Sequence, residues 1–107
     1  MKTTKYNKLV RDKIPEIIEL SGKTAVTETL PDDKYMEMLN QKLLEEVNEF
    51  FESGTVEELA DIGEVMHAIM AHKGITIEEF QRVRLEKLEK RGGFKDKVLL
   101  VEVVEAE

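Results

Sequence analysis

No cysteine occurs in the chain, so neither a disulfide framework nor a thiolate metal site is open to it, and a reducing compartment, the cytoplasm, is the expected setting. Long apolar runs are missing as well. The opening Met1-Lys2-Thr3-Thr4-Lys5 leads into a charged segment with nothing of signal-peptide or membrane-spanning length, so no membrane partner is expected. Positive charge is in deficit: the net charge is −7, and an acidic chain lacks the extended basic face that displaces counterions from a nucleic-acid polymer. Internal repeats and low-complexity linkers are absent too, which leaves breakers and periodicity to divide the sequence.

What is present fits one small globular domain over residues 1–107, with 41% apolar residues and a thin core. Charge is unevenly distributed. Residues 1–24 hold six basic and three acidic side chains, residues 25–80 hold three and fourteen, and residues 81–97 hold seven and three. Two basic flanks around an acidic centre suit a metal held by acids together with a phosphate chain held by bases, although an ordinary surface charge pattern also explains much of the distribution.

The pattern predicts an all-α fold, a helical bundle built on an antiparallel hairpin. A first helix is expected over about Asp12–Leu20, with Pro15 in its first turn and Ser21-Gly22 as its stop. After Pro31, Asp32 is expected to cap a long helix reaching about Phe51, with Met36, Leu39, Leu43, Val47 and Phe50 at helical spacing. A third helix is expected over Val56–His72, burying Leu59, Ile62, Met66, Ile69 and Met70. A fourth starts at Thr76 with the pattern Thr-x-x-Glu and ends at Arg91 before Gly92-Gly93. Thr24–Leu30 and Lys97–Val104 are rich in β-branched residues and predict a small two-stranded appendage, marginal in isolation.

Glu46-x-x-Glu49 and Glu58-x-x-Asp61 lie at equal distances either side of Ser53-Gly54-Thr55. Folding back at that break sets Glu49 level with Glu58 and Glu46 level with Asp61. Four carboxylates so placed repel one another, and a hard divalent cation with oxygen ligands is the simplest neutraliser. Taking Leu43 and Leu59 as stripe centres, about 100° per residue puts both pairs on one flank of the hairpin and Glu45 nearly opposite the stripe, a weaker direct ligand. Two plainer readings stand beside this one. Glu58 is three residues after Thr55 and completes a capping box, and each acid alone is an ordinary solvated helix residue.

These residues also carry a family resemblance. Leu44-Glu45-Glu46-Val47-Asn48-Glu49 followed by Glu58-Leu59-Ala60-Asp61 resembles the Glu-Glu-x-x-Glu … Glu-x-x-Asp signature of the MazG-like nucleotide pyrophosphohydrolases, in the all-α nucleoside triphosphate pyrophosphatase superfamily. Tyr6-Asn7-Lys8-Leu9-Val10-Arg11-Asp12-Lys13-Ile14-Pro15 and Lys90-Arg91-Gly92-Gly93-Phe94 resemble its phosphoribosyl-ATP pyrophosphohydrolase-like subgroup. The resemblance implies hydrolysis of a nucleoside triphosphate between its α and β phosphates, with Mg²⁺ held by Glu46, Glu49, Glu58 and Asp61 and with Glu45 as the additional motif acid. It also implies assembly from several chains. The spacer from Glu49 to Glu58 is short for the family and leaves little room for a loop.

Glu45 or Glu49 is the expected group that orients or deprotonates the attacking water. Lys8, Arg11, Lys13, Lys87, Lys90 and Arg91 are the candidate phosphate contacts, since their side chains give charge-assisted donors. Lys90 and Arg91 have a plainer role as well, because bases near a helix carboxyl end are favoured by its dipole. His67 and His72 fit no ligand pattern and are expected to be structural. Wide apolar faces in so short a chain point to a homodimer or a dimer of dimers. A non-catalytic helical module that binds metal or nucleotide and regulates a partner is the alternative function.

Overall fold

Pro15 falls in the first turn of α1 (Ile14–Leu20), where a missing N–H leaves no bond unmade. The computed structural model describes residues 1–106 and is helical throughout its regular structure. The other helices are α2 (Asp32–Ser53), α3 (Val56–His72) and α4 (Ile77–Arg91). Two compact units result, Met1–Gly74 and Ile75–Glu107.

The first unit is organised by α2 packed against α3. Pro31, not Asp32, occupies the N-cap of α2: its φ of −68° and ψ of 160° suit that position but it offers no side-chain acceptor. Asp32 and Asp33 instead lie in the first turn, where the helix dipole favours negative charge. At the far end, Gly54 takes the left-handed conformation (φ 63°, ψ 19°) and its N–H donates to the Phe50 carbonyl at 2.8 Å. Thr55 caps α3 at once by accepting from the Glu58 N–H, so the chain reverses within two residues. Tyr35 and His72 close the other end of the pair edge to face, with ring centroids 5.2 Å apart.

Between the helices, Leu39 and Val65 are the buried apolar side chains among the described residues. The inward face of α3 therefore differs from the expected one. Leu59 is 51% exposed, Met66 is exposed as well, and Val65 takes the central position. The cause is rotational. Turning Leu59 inward would carry Glu58 and Asp61 to the rim, whereas the observed rotation, about 120° away, brings both acids toward α2.

Neither 24–30 nor 97–104 forms a strand, which corrects the expected β appendage. Val26, Val98, Leu100, Val103 and Val104 are exposed, and in 24–30 only Ala25 and Leu30 are half-buried, too little packed surface to favour pairing. In the second unit, Thr76 caps α4 through the Glu79 N–H at 3.1 Å, and Gly92 ends it with a φ of 82°. No side chain of α4 is buried. No helix of the described residues is long and apolar enough to cross a membrane.

Candidate functional site

Glu46, Glu58 and Asp61 lie inside the helix pair rather than along its flank, whereas Glu49, about 80° from Leu39, stays on the flank. Counting about 100° per residue from Leu39, Glu46 falls about 20° from the middle of the inward face of α2; counted from Val65, Glu58 and Asp61 fall about 20° and about 40° from that of α3. Glu46 is 6% exposed, less than any apolar residue of the chain except Leu39. One carboxylate oxygen from each of Glu46, Glu58 and Asp61 lies within 4.8 Å of the others, and Glu45, Glu46 and Glu49 form a second such group. Glu46 belongs to both.

The capping-box explanation for Glu58 is only half realised. Its backbone N–H does donate to Thr55 Oγ1, but the Thr55 N–H donates to Ser53 Oγ instead of to the Glu58 carboxylate. The carboxylate is left for the cluster, where its Oε2 is buried without a hydrogen-bond partner. Glu46 Oε2 is in the same condition. An orphaned buried oxygen is costly, and two of them stand in one cluster of acids.

Electrostatics follow from these positions. Burial, reinforced by the neighbouring Glu49, raises the pKa of Glu46 above the ordinary carboxylate range. Glu58 is raised by desolvation and then by Glu46 and Asp61. Glu45 moves the other way, held down by hydrogen bonds from Lys8 and Lys42. Lys8 is raised in turn by its bond to Glu45.

Three bases reach the acids. Lys8 Nζ stands 2.9 Å from Glu45 Oε1, and Arg11 Nη2 stands 2.6 Å from Asp61 Oδ1. Lys42 was not among the expected site residues, yet its Nζ lies 3.3 Å from Glu45 and 3.4 Å from Glu46. Its spacing of three and four residues from those acids is a legible helical signal. Lys8, Glu45 and Glu49, with Gln41, Leu44, Asn48 and Glu52, line an open groove of about 490 Å³ on the outer side of α2. Lys13 is exposed at the N-cap of α1. Lys87, Lys90 and Arg91 are exposed on α4 in the second unit. Of the two histidines, His72 stacks on Tyr35 and His67 faces solvent, outside both acid groups.

A stretch of 59 residues, 55% of the chain, is 46% identical to an uncharacterized protein of Mycolicibacterium smegmatis, of which it covers 60%. The match thus spans less than two thirds of that relative's length. No family model matches the chain, and no solved structure matches it.

Proposed function

We propose that this protein is a Mg²⁺-dependent nucleotide pyrophosphohydrolase, cleaving a nucleoside triphosphate or related nucleotide between its α and β phosphates to give the monophosphate and pyrophosphate. The observation that carries this reading is the buried Glu46 carboxylate, whose Oε2 has no partner while Glu58 and Asp61 stand within 4.8 Å. An all-oxygen donor set fits a hard divalent cation, and Glu46, Glu49, Glu58 and Asp61 are the residues that would hold it. When bound, such an ion neutralises phosphate charge and acidifies coordinated water.

The roles of the remaining groups follow from their partners. Glu45 is committed to Lys8 and Lys42 and its acidity is increased, which makes it a poor proton acceptor. Glu49 has no ion pair among the described residues and is left free to take a proton from the attacking water. Water oxygen bonds to the α phosphorus, the bond from that phosphorus to the bridging oxygen breaks, pyrophosphate leaves, and Glu49 takes the proton. Lys8 and Arg11 supply donors for the phosphate chain from beside the acids.

The same reading includes a helical bundle completed by a second copy. Phe51 on α2, and Leu59 and Met66 on α3, lie about 100–120° from the inward centres in the same rotational sense, so they share the side of the pair opposite Glu45, Glu49 and Asp61. All three are exposed, and Phe51 is 76% exposed. Covering that side with the identical side of another protomer builds a homodimer, the unit of a dimer of dimers.

The test is pyrophosphate release from a panel of canonical, deoxy and modified triphosphates, with Mg²⁺ and then with a chelator. Chelator-sensitive release from at least one member is expected, with Glu49→Gln slowing it by about 10²-fold or more. Metal uptake with no release from any member would favour the regulatory module instead.

A further inference from the structure

Residues 1–13 precede the first helix, and this arm lies over the acid side of the α2–α3 pair. Its two contacts are selective. Lys8 takes a carboxylate of the group Glu45, Glu46 and Glu49; Arg11, three residues on, takes one of the group Glu46, Glu58 and Asp61. Leu9, half-buried between them, fixes the spacing, and a left-handed backbone at Asn7 (φ 48°) turns the chain just before Lys8. Each acid group is therefore held by one base supplied from 37 or 50 residues away in sequence.

These ion pairs are of a kind that yields. The Lys8 and Arg11 side chains are 52% and 55% exposed, so water screens both contacts and each contributes modestly. A divalent ion at the Asp61 carboxylate repels the guanidinium held 2.6 Å from Oδ1, whichever of the two oxygens it takes, so filling the site weakens the Arg11 contact. A guanidinium, moreover, has five donors and no acceptor, and its fork matches a phosphate as well as it matches a carboxylate.

Resting on the metal-site reading above, we propose that the arm is a displaceable cationic strap. Arg11, with Lys8, neutralises the acids when no divalent ion is present. The ion expels Arg11 from Asp61, and the freed bases then grip the phosphate chain of the substrate. Divalent ion and phosphate chain consequently bind with positive coupling, since each favours the state in which the arm has left the carboxylates. That coupling is reciprocal by thermodynamic necessity.

Calorimetric titration of the full-length protein with Mg²⁺ alone, and of the Mg²⁺-saturated protein with inorganic pyrophosphate, tests the exchange in the wild type and in Arg11→Ala. Removing the resident competitor is expected to tighten Mg²⁺ binding by about two- to five-fold, the range set by a screened ion pair. Pyrophosphate binding is expected to weaken by about ten-fold or more through loss of a charge-assisted donor. Because the chain has no cysteine, Thr4→Cys and Ala60→Cys accept spin labels uniquely, and with labelled chain diluted in unlabelled chain their distance distribution should change on adding Mg²⁺. Mg²⁺ uptake by the wild type with an unchanged distribution, or with unchanged or weaker uptake by Arg11→Ala, overturns the strap and leaves the metal site standing. No Mg²⁺ uptake by the wild type overturns both.

Discussion

At the scale of single residues, Glu46 is where the proposed metal site and stability oppose each other most directly. A carboxylate that is 6% exposed, with one oxygen 3.4 Å from Lys42 and the other unpartnered, is a poor choice for stability at a position flanked by Leu39 and Leu43 on the same face. Glu46→Gln keeps the shape and removes the charge. In chelator-treated protein it should raise stability by about 1–3 kcal/mol in thermal or urea melts, the cost usually attached to an unsatisfied buried polar group. The pH dependence has a defined sign. Glu46 and Glu58 have raised pKa values when folded, so between the ordinary carboxylate range and those raised values the folded chain holds more protons than the unfolded one. Their contribution to stability falls as pH rises through that window. Glu45, lowered by Lys8 and Lys42, contributes stability that is present above its unfolded value and lost as pH falls through its folded one. Metal-free protein is therefore expected to melt higher in mild acid, just above the ordinary carboxylate range, than at about pH 7. Glu46→Gln should flatten that difference.

At the scale of elements, the α2–α3 link is the point on which the alignment of the acids depends. Gly54 sits at a φ of +63°, and a side chain there is strained although space around it is open. Gly54→Ala is expected to cost about 1–2 kcal/mol, and Thr55→Ala, which removes the acceptor for the Glu58 N–H, about 1 kcal/mol, both read from denaturant midpoints. Much of this element structure was legible in the sequence. Breakers at Gly22, Gly54, Gly74 and Gly92 and the two Thr-x-x-Glu starts place α2, α3 and α4 to within a residue or two of their observed ends. Glu46 groups with Glu58 and Asp61 across the break, while Glu49 groups with Glu45 and Glu46, so the acids form two overlapping trios rather than the single set of four that their symmetric spacing suggests. The rotation of α3 was not legible, because apolar periodicity favours a stripe centred on Leu59 over one that turns two acids inward. Centring on Val65 leaves Leu59 in solvent and draws Glu58 and Asp61 inward, an arrangement that apolar periodicity alone disfavours. The 24–30 and 97–104 segments misled for a related reason: β-branched composition describes what a strand needs from its neighbours, and here their β-branched Val26, Val98, Val101, Val103 and Val104 all lie exposed.

At the scale of the whole molecule, the two sides of the helix pair have different fates. The arm covers the acid side through Lys8 and Arg11, whereas Phe51, Leu59 and Met66 leave the other side bare. A chain whose buried apolar residues amount to Leu39 and Val65 has little with which to offset conformational entropy, so association and folding should be linked. Leu59→Asp is expected to shift sedimentation from dimer or tetramer toward monomer and to make the melting temperature depend more steeply on protein concentration. A wild-type monomer at high concentration would remove the bundle from the proposal.

The most direct measurement is equilibrium uptake of Mn²⁺, followed by its electron paramagnetic resonance signal, in the wild type and in Glu46→Gln. Saturable uptake by the wild type, displaced by Mg²⁺ and abolished by the single amide substitution, is the predicted result. Equal uptake by both proteins, or none by either, would contradict a cation held by the acids buried between α2 and α3.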